Sequence, residues 1–487
     1  MKEISDGGPP PLATYAYDLN GNRITKTLEN GTTASYIYDS ASQLTRVKHM
    51  KSATNIAQFD YTLNAVGNRT AKNASGAIPN VNESYTYYAI DQVTAVSKPG
   101  DAQTFAYDPT GNRTAVTSTG SSPGVGSYTT NALNQYTAAA GDVLLYDTKG
   151  NLTTQGLTAS YSYDSKNRLL GATKGSNTML VSYDYRNRPV SRTINGTATY
   201  FIYDGWRLIG EYNVSGALLQ KYIHGVNIDE ILAKIDSTGT VFYHQNGLGS
   251  TVALTNSSGA LLESYQYDVF GKVTVLDNSG SPIANSAFSN RFMFTGREWI
   301  AEVGLYDYRN RVYSAELGRF IQTDPIRFDA GDVNIYRYVS NNAVNAWDPY
   351  GLKDYSCKET EKIIEEAGEQ NLWDAYKNHS GTGKYDFKSN QPDDTFNVGG
   401  RQMKADAFGN YLAGYSGYKA GGAIGYAGVR AGGIFYDFTD AWADRRGRGF
   451  GNSKFDWDAD SVEDIKAGKE RAKSNGKGSG GGGCGCP

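Results

Sequence analysis

From residue 15 to residue 212, apolar and polar positions alternate in short runs, and one run keeps returning. An aromatic or aliphatic residue, a variable residue and Tyr-Asp lead into a polar stretch with Asn or Gly, then into a second alternating run. "YAYDLNGNRITKT" starts at Tyr15, "YIYDSASQLTRV" at Tyr36 and "FAYDPTGNRTAV" at Phe105. "LLYDTKGNLTTQ" follows at Leu144, "YSYDSKNRLLGA" at Tyr161, "VSYDYRNRPVSR" at Val181 and "FIYDGWRLIGEY" at Phe201. Weaker copies stand between them, such as "LNAVGNRTAK" at Leu63 and "TNALNQYTAA" at Thr130. The period is roughly 20 residues.

Each copy has one physical reading. Aromatic-x-Tyr is the end of an alternating strand. Asp-x-x-Gly-Asn supplies a side chain that caps a turn and a residue that tolerates positive φ. Each copy is therefore a predicted β-hairpin, and its Asn and Gly are turn residues, not catalysts. A lone hairpin cannot bury a face, so neighbours must stack. The pattern predicts an almost wholly β region from about 13 to 290, with no helix beyond about two turns.

Composition narrows this. The 487 residues include 37 Tyr but 17 Phe, and 57 Gly, an inventory suited to strands and turns. The formal charge of −3 offers no basic surface for nucleic acid. Three Cys cannot make a disulfide framework. No apolar run is long enough to span a bilayer, so stable membrane insertion is not expected. The opening "MKEISDGGPPP" has no apolar core, so no classical signal peptide is expected.

The repeats resemble the YD repeats of the RHS family over most of residues 15 to 352. "YHQNGLGSTVALTNSSGALLESYQYDVFGKV", from Tyr243, is similar to a late repeat of that family. "RFMFTGREWIAEVGLYDYRNRVYSAELGRFIQTDPIRF", from Arg291, is similar to its core-associated domain. The resemblance implies a β-sheet spiralling into a hollow shell closed by that domain, with the chain's own C-terminal segment inside. The expected divisions are 1–290 for the shell, 291–352 for the core domain, 353–475 for a cargo and 476–487 for a Gly-rich tail.

In that family the core ends in DPxG and then DPxGL, and the chain is cut after the Leu. Asp324 and Asp348 stand at the two aspartate positions, and Gly351 and Leu352 complete the second motif. Arg327 stands where the first motif has Gly. Two nearby carboxylates cannot both ionise cheaply, so one keeps a proton; one can activate water while the other protonates the leaving group. The expected target is the Leu352–Lys353 bond. The competing reading is that both aspartates only cap turns before Pro.

From Lys353 the hairpin pattern stops. Ile363, Ile364, Ala367, Leu372 and Trp373 have helical spacing, interrupted at Gly368. Residues 385 to 468 resemble the polymorphic toxin type 44 domain, which implies a small, mainly α or α+β toxin. His379 is the only His after residue 352, so a two-His nuclease or a His-rich zinc site is not expected. The candidate catalytic residues are Asp386, Lys388, Asp406 and Asn410, flanking a Gly-rich run. The acidic stretch from Asp456 to Asp464 is the next candidate. No cofactor is certain; a divalent metal held by carboxylates would suit phosphodiester cleavage. A carboxylate pair would suit peptidoglycan glycan.

The function implied is a bacterial effector of interbacterial competition, made in the cytoplasm and delivered into a target cell by a dedicated machine such as a type VI system. Its partners would be a cognate immunity protein, the secretion machinery or its spike or adaptor, and target nucleic acid or peptidoglycan. The alternative of another class is a non-enzymatic surface protein binding carbohydrate or partner cells.

Overall fold

The computed structural model describes residues 2–4, 11–19, 21–120 and 124–352, with 395–398 and 401–404. The chain forms two compact units: Met1–Asp39 with Leu44–Lys353, and Ser40–Gln43 with Asp354–Cys486, Pro487 being grouped with the first.

In the first unit, 28 strands from Lys2–Ile4 to Pro282–Ile283 make one sheet, each strand antiparallel to the next in sequence. Among the described residues there is no α-helix, only 3-10 turns at Phe294–Gly296, Arg327–Ala330 and Val339–Asn341. The mainly β expectation holds.

The repeated residues show why the pattern is a hairpin. Asp108 accepts the backbone N–H groups of Thr110 and Asn112, both at 2.9 Å, and the Asn112 side-chain amide at 2.9 Å. Where Arg replaces that Asn, the same carboxylate holds a guanidinium: Arg188 Nε donates to Asp184 at 2.7 Å. The left-handed residue between them is Gly111 in one copy, at φ 78°, and Asn187 in another, at φ 64°. Both residue types tolerate that conformation.

The Tyr of several Tyr-Asp pairs reaches further. The strands slip by one residue at Tyr107, Tyr163 and Tyr183, which turns each ring. Their hydroxyls donate to the carbonyls of Val93 (2.9 Å), Leu152 (2.6 Å) and Leu169 (2.8 Å) in the preceding hairpin. The Asp thus closes its own turn while the Tyr bonds to the neighbouring copy.

A second sheet of four strands follows: Glu298–Ile300, Leu305–Tyr308, Arg311–Ser314 and Arg319–Phe320. Its core is aromatic, with Tyr306, Tyr308, Tyr313, Phe320 and Tyr338 all buried and in mutual ring contact. It is tied to the turns of the large sheet. Tyr336 donates to Gly150 O at 2.7 Å, Tyr313 to Phe270 O at 2.7 Å, and Arg69 to Val344 O at 2.8 Å. Buried ion pairs join the two as well, such as Arg192 with Glu298 at 2.6 Å.

In the second unit, Thr395–Val398 and Arg401–Lys404 pair antiparallel. Of the two expectations for that unit, mainly α or α+β, this strand pair suits the second. The predicted helix around Ile363, and the candidates Lys353, Asp386, Lys388, Asp406, Asn410 and Asp456 to Asp464, lie outside the described residues.

Candidate functional site

Asp324 lies after the last strand of the small sheet, and its backbone N–H donates to Ile335 O at 3.0 Å. One carboxylate oxygen accepts the Ile326 N–H at 3.0 Å, which is turn capping. Its other oxygen lies 2.9 Å from Arg311 Nη1. Asp348 is placed by the next Asp-Pro segment: Leu352 N–H donates to Asp348 Oδ1 at 3.1 Å, and Oδ2 lies 3.2 Å from Arg311 Nη2. One guanidinium therefore bridges both aspartates. All three side chains are buried, each about 3% exposed.

Arg311 does more than pair charges. Its Nη2 donates to Leu352 O at 3.1 Å, and its Nε donates to Gly351 O at 2.7 Å. The carbonyl expected to be attacked is thus already held by a cation between two carboxyls. The Phe320 ring backs the guanidinium, 3.6 Å from its central carbon.

Burial raises both carboxyls above the ordinary aspartate range. Burial pushes Asp348 up to about 6, against the pull of Arg311 and the Leu352 N–H, and the charge of Asp324 adds to the rise. Burial also raises Asp324, again opposed by Arg311. The sequence argument had placed mutual repulsion first. Desolvation is the larger cause, and repulsion is secondary.

Gly351 sits at φ 65°, and a Cβ there would fall 2.5 Å from Tyr308 O and 3.0 Å from Arg311 N. The second motif needs Gly for its conformation and for this close approach. The first motif departs from Gly at Arg327, yet the backbone is kept: Arg327 adopts φ 52°.

Sequence reasoning singled out Asp324, Asp348 and Leu352, and the structure brings them together. It missed Arg311. The only signal was an Arg in "YRNRVYS", indistinguishable there from Arg309. Among the described residues no cluster of metal-ligating side chains is present.

Comparisons with known proteins agree with this architecture. The Teneurin YD-shell family matches residues 69–344 and the RHS repeat family residues 17–49. The chain is 31% identical over 269 residues to the tRNA3(Ser)-specific nuclease WapA of Bacillus spizizenii, covering 53% of this chain and 11% of that protein. It is 26% identical over 243 residues to the double-stranded DNA deaminase toxin A of Burkholderia cenocepacia, covering 42% of this chain and 16% of that one. It thus spans between a tenth and a sixth of these relatives' length. Among solved structures, the TcdB2-TccC3 crystal structure superposes with a TM-score of 0.58 at 18% identity, over 70% of this chain and 20% of that one. The Photorhabdus luminescens Tc holotoxin pore gives 0.59 at 17% identity, over 70% and 19%. These two likenesses are of fold. The first family match takes in more than half of the sequence, and the chain belongs to the Teneurin YD-shell family.

Proposed function

We propose that this chain is the shell portion of a bacterial toxin that cuts itself once, between Leu352 and Lys353, to free a cargo beginning at Lys353. The observation that carries this reading is the position of Arg311, bonded at once to Asp324, to Asp348 and to the Leu352 carbonyl oxygen.

The chemistry is hydrolysis by two carboxyls of unequal role. Asp324, ionised, takes a proton from water as its oxygen adds to the Leu352 carbonyl carbon. Arg311 receives the negative charge that develops on the carbonyl oxygen. Asp348, protonated near pH 6, gives its proton to the Lys353 nitrogen as the carbon–nitrogen bond breaks. The products are a Leu352 carboxylate and a Lys353 amine, and the reaction consumes one water. No cofactor is required.

The freed segment acts as a hydrolase on nucleic acid in a competing cell, with an immunity protein guarding the producer. Support for this comes from relatives named as tRNA nucleases and as a DNA deaminase toxin. Asp386, Lys388, Asp406 and Asn410 remain the proposed catalytic group of that segment, and a divalent metal its proposed aid.

The test is to purify the full chain and read its fragments on a denaturing gel and by intact mass. A fragment ending at Leu352 is expected, with one uncut band for Asp348→Asn. An uncut parent chain overturns the reading. For the cargo, tRNA from a bacterium producing the full chain should be degraded; intact tRNA beside lost cell-wall integrity would point to peptidoglycan.

A further inference from the structure

The peptide before the proposed cut is held in an unusual way. Four successive carbonyls, those of Pro349, Tyr350, Gly351 and Leu352, are each bonded by one of three successive residues, Arg309, Asn310 and Arg311. Arg309 Nη1 donates to Pro349 O. Asn310 donates to Tyr350 O twice, from its backbone N–H at 3.2 Å and its side-chain amide at 3.0 Å. Arg311 takes the last two carbonyls through Nε and Nη2.

A tight turn makes this possible. Tyr308 pairs with Arg311 across strands Leu305–Tyr308 and Arg311–Ser314, leaving Arg309 and Asn310 as a two-residue loop. Arg309 sits at φ 68°, a conformation that costs about 1 kcal/mol or more for a residue with a Cβ. The loop is held there from the large sheet. Asp229, in the turn between strands Leu218–His224 and Ile231–Asp236, accepts Arg309 Nη2 at 2.5 Å and Nη1 at 3.2 Å, and Arg297 Nη1 at 3.0 Å. Trp206 of the large sheet packs edge-on against the Tyr350 ring, 6.2 Å between centroids.

We infer that Arg309–Asn310–Arg311 is a backbone gauge that selects which peptide bond is cut, and that Asp229 and Arg309 are positioning residues that aim it. The inference rests on the cleavage reading above. Among the described residues, each bond in the gauge falls on main-chain atoms on the shell side of the scissile bond. The gauge therefore counts residues from Asp348 and does not read the side chain at position 353. Asp229 makes its setting depend on the large sheet being assembled, so the chain is cut only after the small sheet has seated.

The experiment is cell-free synthesis of the full chain, with the rate of cleavage and the masses of both fragments followed during a chase. Lys353→Glu and Lys353→Trp should be cut after Leu352 within about twofold of the parent rate. Arg309→Met should slow cleavage on the order of 10- to 100-fold, the cost of one charge-assisted hydrogen bond, or give mixed ends around Leu352. Arg309→Lys, which keeps one charged donor, should recover part of the loss. Asp229→Asn should slow cleavage about tenfold without moving its pH midpoint, since neither residue transfers a proton. Asn310→Ala removes one side-chain donor, keeps the turn, and serves if Arg309→Met does not fold. A parent chain cut after Leu352 while Arg309→Met, Asp229→Asn and Asn310→Ala match it in rate and ends overturns the gauge and leaves the hydrolysis standing. So does a position 353 variant cut elsewhere. A parent chain that stays whole overturns both.

Discussion

The aspartates of the hairpin turns and those of the Asp-Pro segments share a side chain and meet opposite environments. Asp108, Asp164 and Asp184 are only partly shielded from water. Burial nudges their carboxyls upward, but three or more hydrogen bonds from the turn outweigh it and hold each below the usual range. Asp324 and Asp348 are buried, and desolvation leads despite Arg311. A carboxylate that serves a turn is kept ionised by many donors. A carboxyl raised above that range is kept dry, so that desolvation outweighs the donors it has.

The largest expected effect tests that division directly. Asp348→Asn and Asp324→Asn should each cut the rate of self-cleavage on the order of a hundredfold or more, because neither amide can exchange the proton required. Asp184→Asn should leave the rate unchanged. Intact mass over a chase after cell-free synthesis reads both. A turn variant that blocks cleavage in a folded shell would erase the distinction.

Next in size is Arg311→Met. It removes the cation facing the carbonyl and should slow cleavage on the order of a hundredfold. It also has a pH signature. Asp348 must be protonated to act as the acid, so parent activity should fall as pH rises through about 6. Arg311 holds that value down, so without it the falling limb should move to higher pH. A limb that stays in place would mean that Asp348 is not the acid.

Gly351→Ala probes geometry with every proton-transfer group intact. The left-handed backbone costs an Ala about 1–2 kcal/mol, and its Cβ would press on Tyr308 O. Cleavage should slow at least about tenfold while the thermal unfolding of the shell falls by only a few degrees, about the scale of that strain. Unfolding at a much lower temperature would show instead that Gly351 serves the fold.

These contrasts also mark what the sequence could reveal. The hairpins were legible because an Asp and the residue four positions later meet inside one turn, and local chemistry fixes local structure. Asp324 and Asp348 were legible through their family motif. The Tyr hydroxyl bonds were not, since their acceptors lie one hairpin upstream. Arg311 and Asp229 were not either, because Arg311 meets Asp324 and Asp348 only when the Asp-Pro segments fold onto the small sheet, and Asp229 meets Arg297 and Arg309 only when that sheet seats on the large one. The strand pair Thr395–Val398 and Arg401–Lys404 had a sequence signal, the Gly-Gly of "TFNVGGRQMK", overlooked beside the helical spacing upstream.

The smallest effect belongs to the turns. Asp184 accepts the Arg186 N–H at 2.8 Å, the Arg188 N–H at 3.0 Å and Arg188 Nε at 2.7 Å. Asp184→Ala should lower shell stability by about 1 kcal/mol, the usual scale for a lost side-chain cap, read as a shift in the denaturant midpoint. The sign with pH follows from the lowered carboxyl. The folded turn prefers the ionised form more than the unfolded chain does. Its contribution is therefore complete above the ordinary aspartate range and is lost as pH falls through the lowered value. Parent and variant should differ at pH 7 and converge in acid. Asp348→Asn should behave in the opposite sense. Burying the ionised Asp348 costs stability once pH rises past the ordinary aspartate value, and that cost is complete above about 6. The amide removes it, so this variant should be at least as stable as the parent at pH 7 and lose that advantage in acid. If both variants moved the same way with pH, the two sets of aspartates would not differ in protonation, and the reading of Asp348 as an acid would fall with the contrast.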